Sequence, residues 1–136
     1  MTKTILIVDD SIFDSEFLQR GLKACDLSNP VTHVLDGEEA IELLSKDTEV
    51  QDRIGLILLD LKMPKVDGFE VLKFIKTTPR LEDIPVIVVS SSYLDSDRIR
   101  AKLLGATNYL AKPMELDDLA TLLSLKINPF RTLLSS

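Results

Sequence analysis

Three aliphatic runs constrain this chain more than anything else in it: Ile5-Leu6-Ile7-Val8, Ile54-Gly55-Leu56-Ile57-Leu58-Leu59 and Val86-Ile87-Val88-Val89. None alternates with polar residues. A strand with one face in water must alternate, whereas a strand covered on both faces reads as an unbroken apolar stretch. The runs therefore predict the central strands of a sheet covered by helices. Val31-Thr32-His33-Val34 and Asn108-Tyr109-Leu110-Ala111 are weaker runs and fit edge or partly exposed strands.

Helical spacing fills the intervals. Phe13, Phe17, Leu18 and Leu22 form one apolar face. Ala40, Ile41, Leu43 and Leu44 form a second, behind an Asp36-Gly37 capping turn. Phe69, Val71, Leu72 and Ile75 form a third, followed by Pro79. A fourth helix is predicted over about 95–104, with Gly105 as its C-terminal cap. A fifth follows Pro113 and carries Leu116, Leu119, Leu122, Leu123 and Ile127. Strand then helix, five times over, calls for parallel strands with right-handed crossovers: a doubly wound α/β sheet with helices on both faces. The 136 residues suit one core. The domain is expected over 1–127, with 128–136 a short tail in which Pro129-Phe130 ends the last helix.

Composition narrows the function. Hydrophobic residues make up 45% and charged residues 28%, a globular balance and not a disordered one. A net charge of −6 argues against nucleic-acid binding, which needs a basic face to offset phosphate charge. The one cysteine, Cys25, allows no internal disulfide, fits a reducing compartment, and sits among apolar helix positions as a small core residue. The first apolar run is about four residues long, too short for a signal peptide. No window reaches the roughly 18 apolar residues of a membrane span. A soluble cytoplasmic protein with no membrane partner is the expectation.

In open parallel sheets, ligands bind beyond the carboxyl ends of the strands. The runs are followed by Asp9-Asp10, Asp60, Ser90-Ser91-Ser92 and Lys112-Pro113. Three carboxylates, a hydroxyl and an ammonium thus gather at one edge. Clustered carboxylates repel one another, and a hard cation such as Mg²⁺, which takes oxygen ligands, resolves that repulsion. A carboxylate beside it can attack phosphorus to form an aspartyl phosphate. A metal and a lysine can neutralise the oxygens of the transferring group. Each residue also has a plainer role. Asp60 could cap a turn, Asp9-Asp10 could offset a helix dipole, Lys112 could be a surface lysine, and the serines could be ordinary loop. Tyr109 could be an edge residue. His33 reads as a surface or edge residue and not a catalytic one. Met63-Pro64 and Asp67-Gly68 shape a loop and start the third helix, with glycine free to take a positive φ.

Taken together, Val8-Asp9-Asp10, Leu59-Asp60 with Met63-Pro64 and Asp67-Gly68, Pro85-Val86-Ile87-Val88-Val89-Ser90-Ser91, Gly105-Ala106, and Tyr109 with Lys112-Pro113 carry a resemblance. Over about residues 4–126 the chain resembles a response-regulator receiver domain of two-component signalling, of the single-domain, chemotaxis-regulator-like kind. The resemblance implies a five-stranded, flavodoxin-like sheet in the order 2-1-3-4-5. It implies that Asp60 accepts a phosphoryl group from a histidine kinase or phosphotransfer protein. Asp10 and Asp60 would ligate Mg²⁺, Asp9 would act through a bound water, and the Lys62 backbone carbonyl would complete the protein ligands. Lys112 would pair with the acceptor and then with the phosphoryl group. Ser90 would be the switch hydroxyl and Tyr109 the aromatic that turns inward with it, with Ser91 and Pro113 in support. Two departures stand out. Many members carry Thr where this chain has Ser90, which keeps the hydroxyl. Lys62 falls at a variable position beside the site and bears on the lifetime of the phosphorylated form.

The implied function is a phosphorylation switch that reshapes the face of the fourth helix, fifth strand and fifth helix. Its output would be a partner protein, or a homodimer formed through that face or the C-terminal segment. It would store a signal and assist its own phosphorylation and dephosphorylation, not turn over as an enzyme. An aspartyl-nucleophile phosphatase of the haloacid dehalogenase type would need a second Asp two residues after the nucleophile, where Lys62 stands, and a cap domain. A nucleotide- or flavin-binding module would need a glycine-rich loop after the first strand, where Asp9-Asp10-Ser11 is acidic and glycine-free. An adaptor working without phosphorylation would have no use for the acidic site.

Overall fold

A computed structural model describes residues 3–24, 27–46 and 48–112. Within them the order is β1 (Thr4–Val8), α1 (Ile12–Ala24), β2 (Val31–Val34), α2 (Gly37–Leu44), α3 (Thr48–Arg53), β3 (Ile54–Leu59), α4 (Gly68–Thr77), β4 (Val86–Ser90), α5 (Asp95–Leu103) and β5 (Asn108–Ala111). The strands form one sheet in the order β2-β1-β3-β4-β5, all neighbours parallel. The three aliphatic runs are its three central strands, fully buried along their length. The two weaker runs are its edges.

Alternate residues of each strand feed opposite cores, because side chains project to the two faces with a period of two. Ile5, Ile7, Leu56, Leu58, Ile87 and Val89 pack with Leu18 and Leu22 of α1 on one side. Leu6, Val8, Ile57, Leu59 and Val88 pack on the other, with Ala40 and Leu44 of α2, Val71, Leu72 and Ile75 of α4 and Ala101 of α5. Apolar residues at every strand position are therefore what a two-sided sheet demands.

Helix ends follow local chemistry. The Asp36 and Asp67 side chains cap α2 and α4 by accepting from the Glu39 and Glu70 backbone N–H groups at 2.8 and 3.0 Å. Thr78 leaves α4 in an extended conformation, as the residue before a proline must. Gly105 closes α5 at φ +105°.

Three points differ from the sequence reading or extend it. The short helix α3 was not foreseen, because it buries none of its residues and so shows no apolar stripe. His33 lies on edge strand β2, but its Nε2–H donates to the Asp9 carbonyl oxygen at 2.8 Å and so supports the strand end. Gly68 does not take a positive φ; Lys65 does, at +64°. Glycine is needed at 68 for space. A β-carbon there would collide with the Asp60 carbonyl oxygen and stand 2.6 Å from the Leu61 Cα. Cys25, Pro113, the helix predicted after Pro113 and the predicted 128–136 tail lie outside the described residues.

The close approach of α4 to the end of β3 yields a prediction. Gly68→Ala should destabilise the fold by about 1–3 kcal/mol, since neither colliding group can move without shifting β3. Chemical denaturation measures this. An unchanged midpoint would show that the α4 N-terminus does not pack so tightly against Asp60.

Candidate functional site

Register brings the site together. The Asp9 N–H donates to the Val34 carbonyl at 3.2 Å, the Asp60 N–H to the Val8 carbonyl at 2.9 Å, and the Lys112 N–H to the Ser90 carbonyl at 2.7 Å. Each ladder thus continues one residue past its strand, and the residue that follows is held at a common edge. Asp9, Asp10 and Asp60 offer carboxylate oxygens all within 4.8 Å of one another. Asp9 and Asp60 are 1% and 5% exposed, while Asp10 faces solvent.

Lys112 reaches into this cluster from the end of β5. Its Nζ lies 2.9 Å from Asp9, 2.8 Å from Asp14 and 3.7 Å from Asp60. Burial alone would lower its pKa, but the hydrogen bonds to Asp14 and Asp9 outweigh that and hold it above its ordinary value. It is therefore an ammonium. Asp60 is also raised, and in its case burial is the cause. Burial pushes its carboxyl up to about 6, Lys112 opposes the rise, and the neighbouring Asp9 charge adds to it.

Asp9, Asp14 and Asp60 therefore share one lysine, with Asp10 a further acid in the cluster. The Lys62 ammonium does not join them. It turns to Asp97 on α5, at 3.2 Å. The uncompensated charge and the all-oxygen donor set suit a hard divalent cation. The donors differ in readiness. Both Asp9 oxygens are engaged, Oδ1 by the Ser11 N–H at 2.9 Å and Oδ2 by Lys112. Asp60 Oδ1 has only a long contact, 3.4 Å, from the Lys62 N–H.

The remaining predicted residues border the cluster. Ser90 ends β4, fully buried, and its Oγ accepts from the Ser92 N–H at 3.2 Å. Tyr109 lies half-buried on β5. Its hydroxyl donates to the Ser92 carbonyl at 3.1 Å, and the Arg98 guanidinium sits 4.7 Å from its ring centre. Ser91 is exposed. Pro113 is not among the described residues. Asp14, Ser92 and Asp97 were missed from the sequence. Asp14 carried a faint signal, one turn of α1 beyond Asp10. Asp97 carried none, since an acid in the first turn of a helix is commonplace.

The raised pKa of Asp60 has a consequence for stability. The folded state holds this proton more tightly than the unfolded chain does, so stability is lost as pH rises from about 3.8 through about 6. Without metal at pH 7, ionised Asp60 costs up to about 3 kcal/mol. Asp60→Asn should therefore raise the melting temperature of chelator-treated protein at pH 7 and lose that advantage below about pH 4. Calorimetry at the two pH values decides it; an equal or lower melting temperature for the variant at pH 7 would contradict the burial argument.

Comparison with known proteins agrees with this geometry. Residues 5–124 match the response regulator receiver domain family. Response regulator Rcp1 of Synechocystis sp. is 40% identical over 119 residues, covering 86% of this chain and 81% of that protein. The two-component response regulator ORR5 of Oryza sativa is 34% identical over 120 residues, covering 88% and 85%. Among solved structures, the Mn²⁺-bound form of Rcp1 superposes with a TM-score of 0.75 over 88% of this chain and 87% of that one, at 40% identity. The phosphorylated cyanobacterial phytochrome response regulator RcpA does so with a TM-score of 0.76, covering 89% and 88%, at 36% identity. With five parallel strands in the order β2-β1-β3-β4-β5 and an acidic cluster at their carboxyl ends, this chain belongs to the response regulator receiver domain family.

Proposed function

We propose that this domain is a phosphorylation-dependent signalling switch whose acceptor is Asp60. The observation that carries this reading is the pairing of a buried, metal-competent carboxylate cluster with Lys112, 3.7 Å from the Asp60 carboxylate. In the step proposed, an Asp60 oxygen attacks phosphorus and the bond from phosphorus to the donor breaks. The donor is a phosphohistidine on a kinase or phosphotransfer protein. Lys112 leaves Asp14 and Asp9 to pair with the new phosphoryl oxygens. The Ser90 hydroxyl, now an acceptor for Ser92, turns to donate to the phosphoryl group.

We assign the protein ligands of the cation to Asp10, Asp60 and the Lys62 carbonyl, with Asp9 acting through water, since both Asp9 oxygens already have partners. Mg²⁺, a hard divalent cation that takes oxygen ligands, would supply charge neutralisation there and keep Asp60 ionised at neutral pH. That Rcp1 has an Mn²⁺-bound form supports the binding of a divalent ion by this related chain.

The output follows from Ser90. When its hydroxyl turns away, the Ser92 N–H loses its acceptor, and the Ser92 carbonyl is the partner of Tyr109. The change thus passes to β5 and α5, where Ile99 and Leu103 are 58% and 82% exposed. In this reading the face they share binds a partner protein or a second copy of the chain. The domain works in the cytoplasm, and among the described residues no helix is long and apolar enough to cross a membrane. A hydrolase reading is less well supported. The position of its general acid is Lys62, a cation already paired with Asp97. Asp60 then stores one phosphoryl group and does not turn over substrate.

Acetyl phosphate with Mg²⁺ should add one phosphoryl group to the wild type and none to Asp60→Ala, read by intact mass. Chelation of the metal should abolish labelling. Equal labelling of both proteins would overturn the assignment.

A further inference from the structure

A chain of contacts crosses the mouth of the site and ends on the Asp97 carboxylate, a group with no part in the transfer step. Lys62, in the loop after β3, pairs through Nζ with Asp97 Oδ2 of α5 at 3.2 Å; their side chains are 54% and 14% exposed. The same Asp97 oxygen accepts from the Ser92 hydroxyl at 2.5 Å. Ser92 makes three further contacts. Its N–H donates to Ser90 Oγ at 3.2 Å, its Oγ accepts from the Leu94 N–H at 3.3 Å, and its carbonyl accepts from the Tyr109 hydroxyl. Arg98, next to Asp97, covers the Tyr109 ring. One turn of α5 therefore holds the acceptor loop, the serine loop and the β5 aromatic at once.

We infer that Asp97 is a positioning residue that locks the acceptor loop to α5 in the unphosphorylated arrangement, with Lys62 as the other half of the lock. The inference rests on Asp60 being the phosphoacceptor. Ser90 cannot turn toward Asp60 without releasing the Ser92 N–H. Ser92 cannot shift without disturbing the oxygen that also holds Lys62. The lock therefore opposes the phosphorylated arrangement, and removing it favours that arrangement. A half-exposed ion pair of this kind is worth about two- to fivefold in an equilibrium.

The test is the affinity for beryllofluoride, a phosphoryl mimic, at saturating Mg²⁺, by calorimetry on the full chain. Wild type is compared with Asp97→Asn, Lys62→Met and the double variant. Asn keeps an oxygen for Ser92 and removes only the charge. A lock predicts that both single variants bind about two- to fivefold more tightly. It further predicts that the double variant gains no more than either single one, and that the gap closes in about 1 M salt. A mere change of local field predicts opposite signs, since one variant removes an anion and the other a cation beside an anionic ligand. Opposite signs, or unchanged affinities, overturn the lock while wild-type binding leaves the acceptor assignment standing. No binding by wild type overturns the acceptor assignment and the lock with it.

Discussion

Parallel register is the constraint on which the site depends. In a parallel ladder every strand runs the same way, so the residue that follows each strand emerges at the same edge. Here the ladder extends one step beyond the strands themselves. Asp9 hydrogen-bonds to the end of β2, Asp60 to the end of β1 and Lys112 to the end of β4. Three candidate site residues far apart in the chain are thereby fixed by backbone hydrogen bonds and not by loop conformation. His33 adds a side-chain bond to the Asp9 carbonyl at the outer strand. Gly68 lets α4 close directly over the Asp60 peptide.

That placement creates an electrostatic problem. Two of the carboxylates are almost wholly buried, and among the described residues Lys112 is the one cation paired with them. A buried ionised carboxylate is costly unless paired, which is why Asp60 holds its proton to about pH 6. Lys112 divides its charge between Asp9 and Asp14 and leaves Asp60 the more distant partner. The arrangement is thus least favourable at the residue proposed to react. Sites that carry out chemistry are commonly built at such a cost to stability.

The serine loop links this chemistry to the outer face. Ser92 connects Ser90, Tyr109 and Asp97 through separate atoms. A loop tied at so many points moves as a unit or not at all, which is the behaviour a two-state element requires. It also explains why α5, whose buried surface among the described elements is slight, still has a defined place: polar contacts and the Arg98–Tyr109 and Arg100–Phe69 stacks hold it.

Much of this was legible in the order of residues. Unbroken aliphatic runs meant strands covered on both faces, their alternation with helices meant parallel pairing, and pairing alone put Asp9, Asp10, Asp60, Ser90 and Lys112 at one edge. The caps at Asp36, Asp67 and Gly105 were equally local and equally readable. What escaped was whatever depends on neighbours in space. Helix α3 has no apolar stripe to announce it, and the role of Gly68 is set by the Asp60 carbonyl and not by its own φ. Asp14 and Asp97 look like ordinary acids of a helix's first turn until folding brings Lys112 and Lys62 to them. Hydrophobic period and capping are written in adjacent residues, so the sequence determined the scaffold and the edge at which the chemistry gathers. Ion pairs join residues that are far apart in the chain, so only the tertiary structure decided which acid holds which lysine.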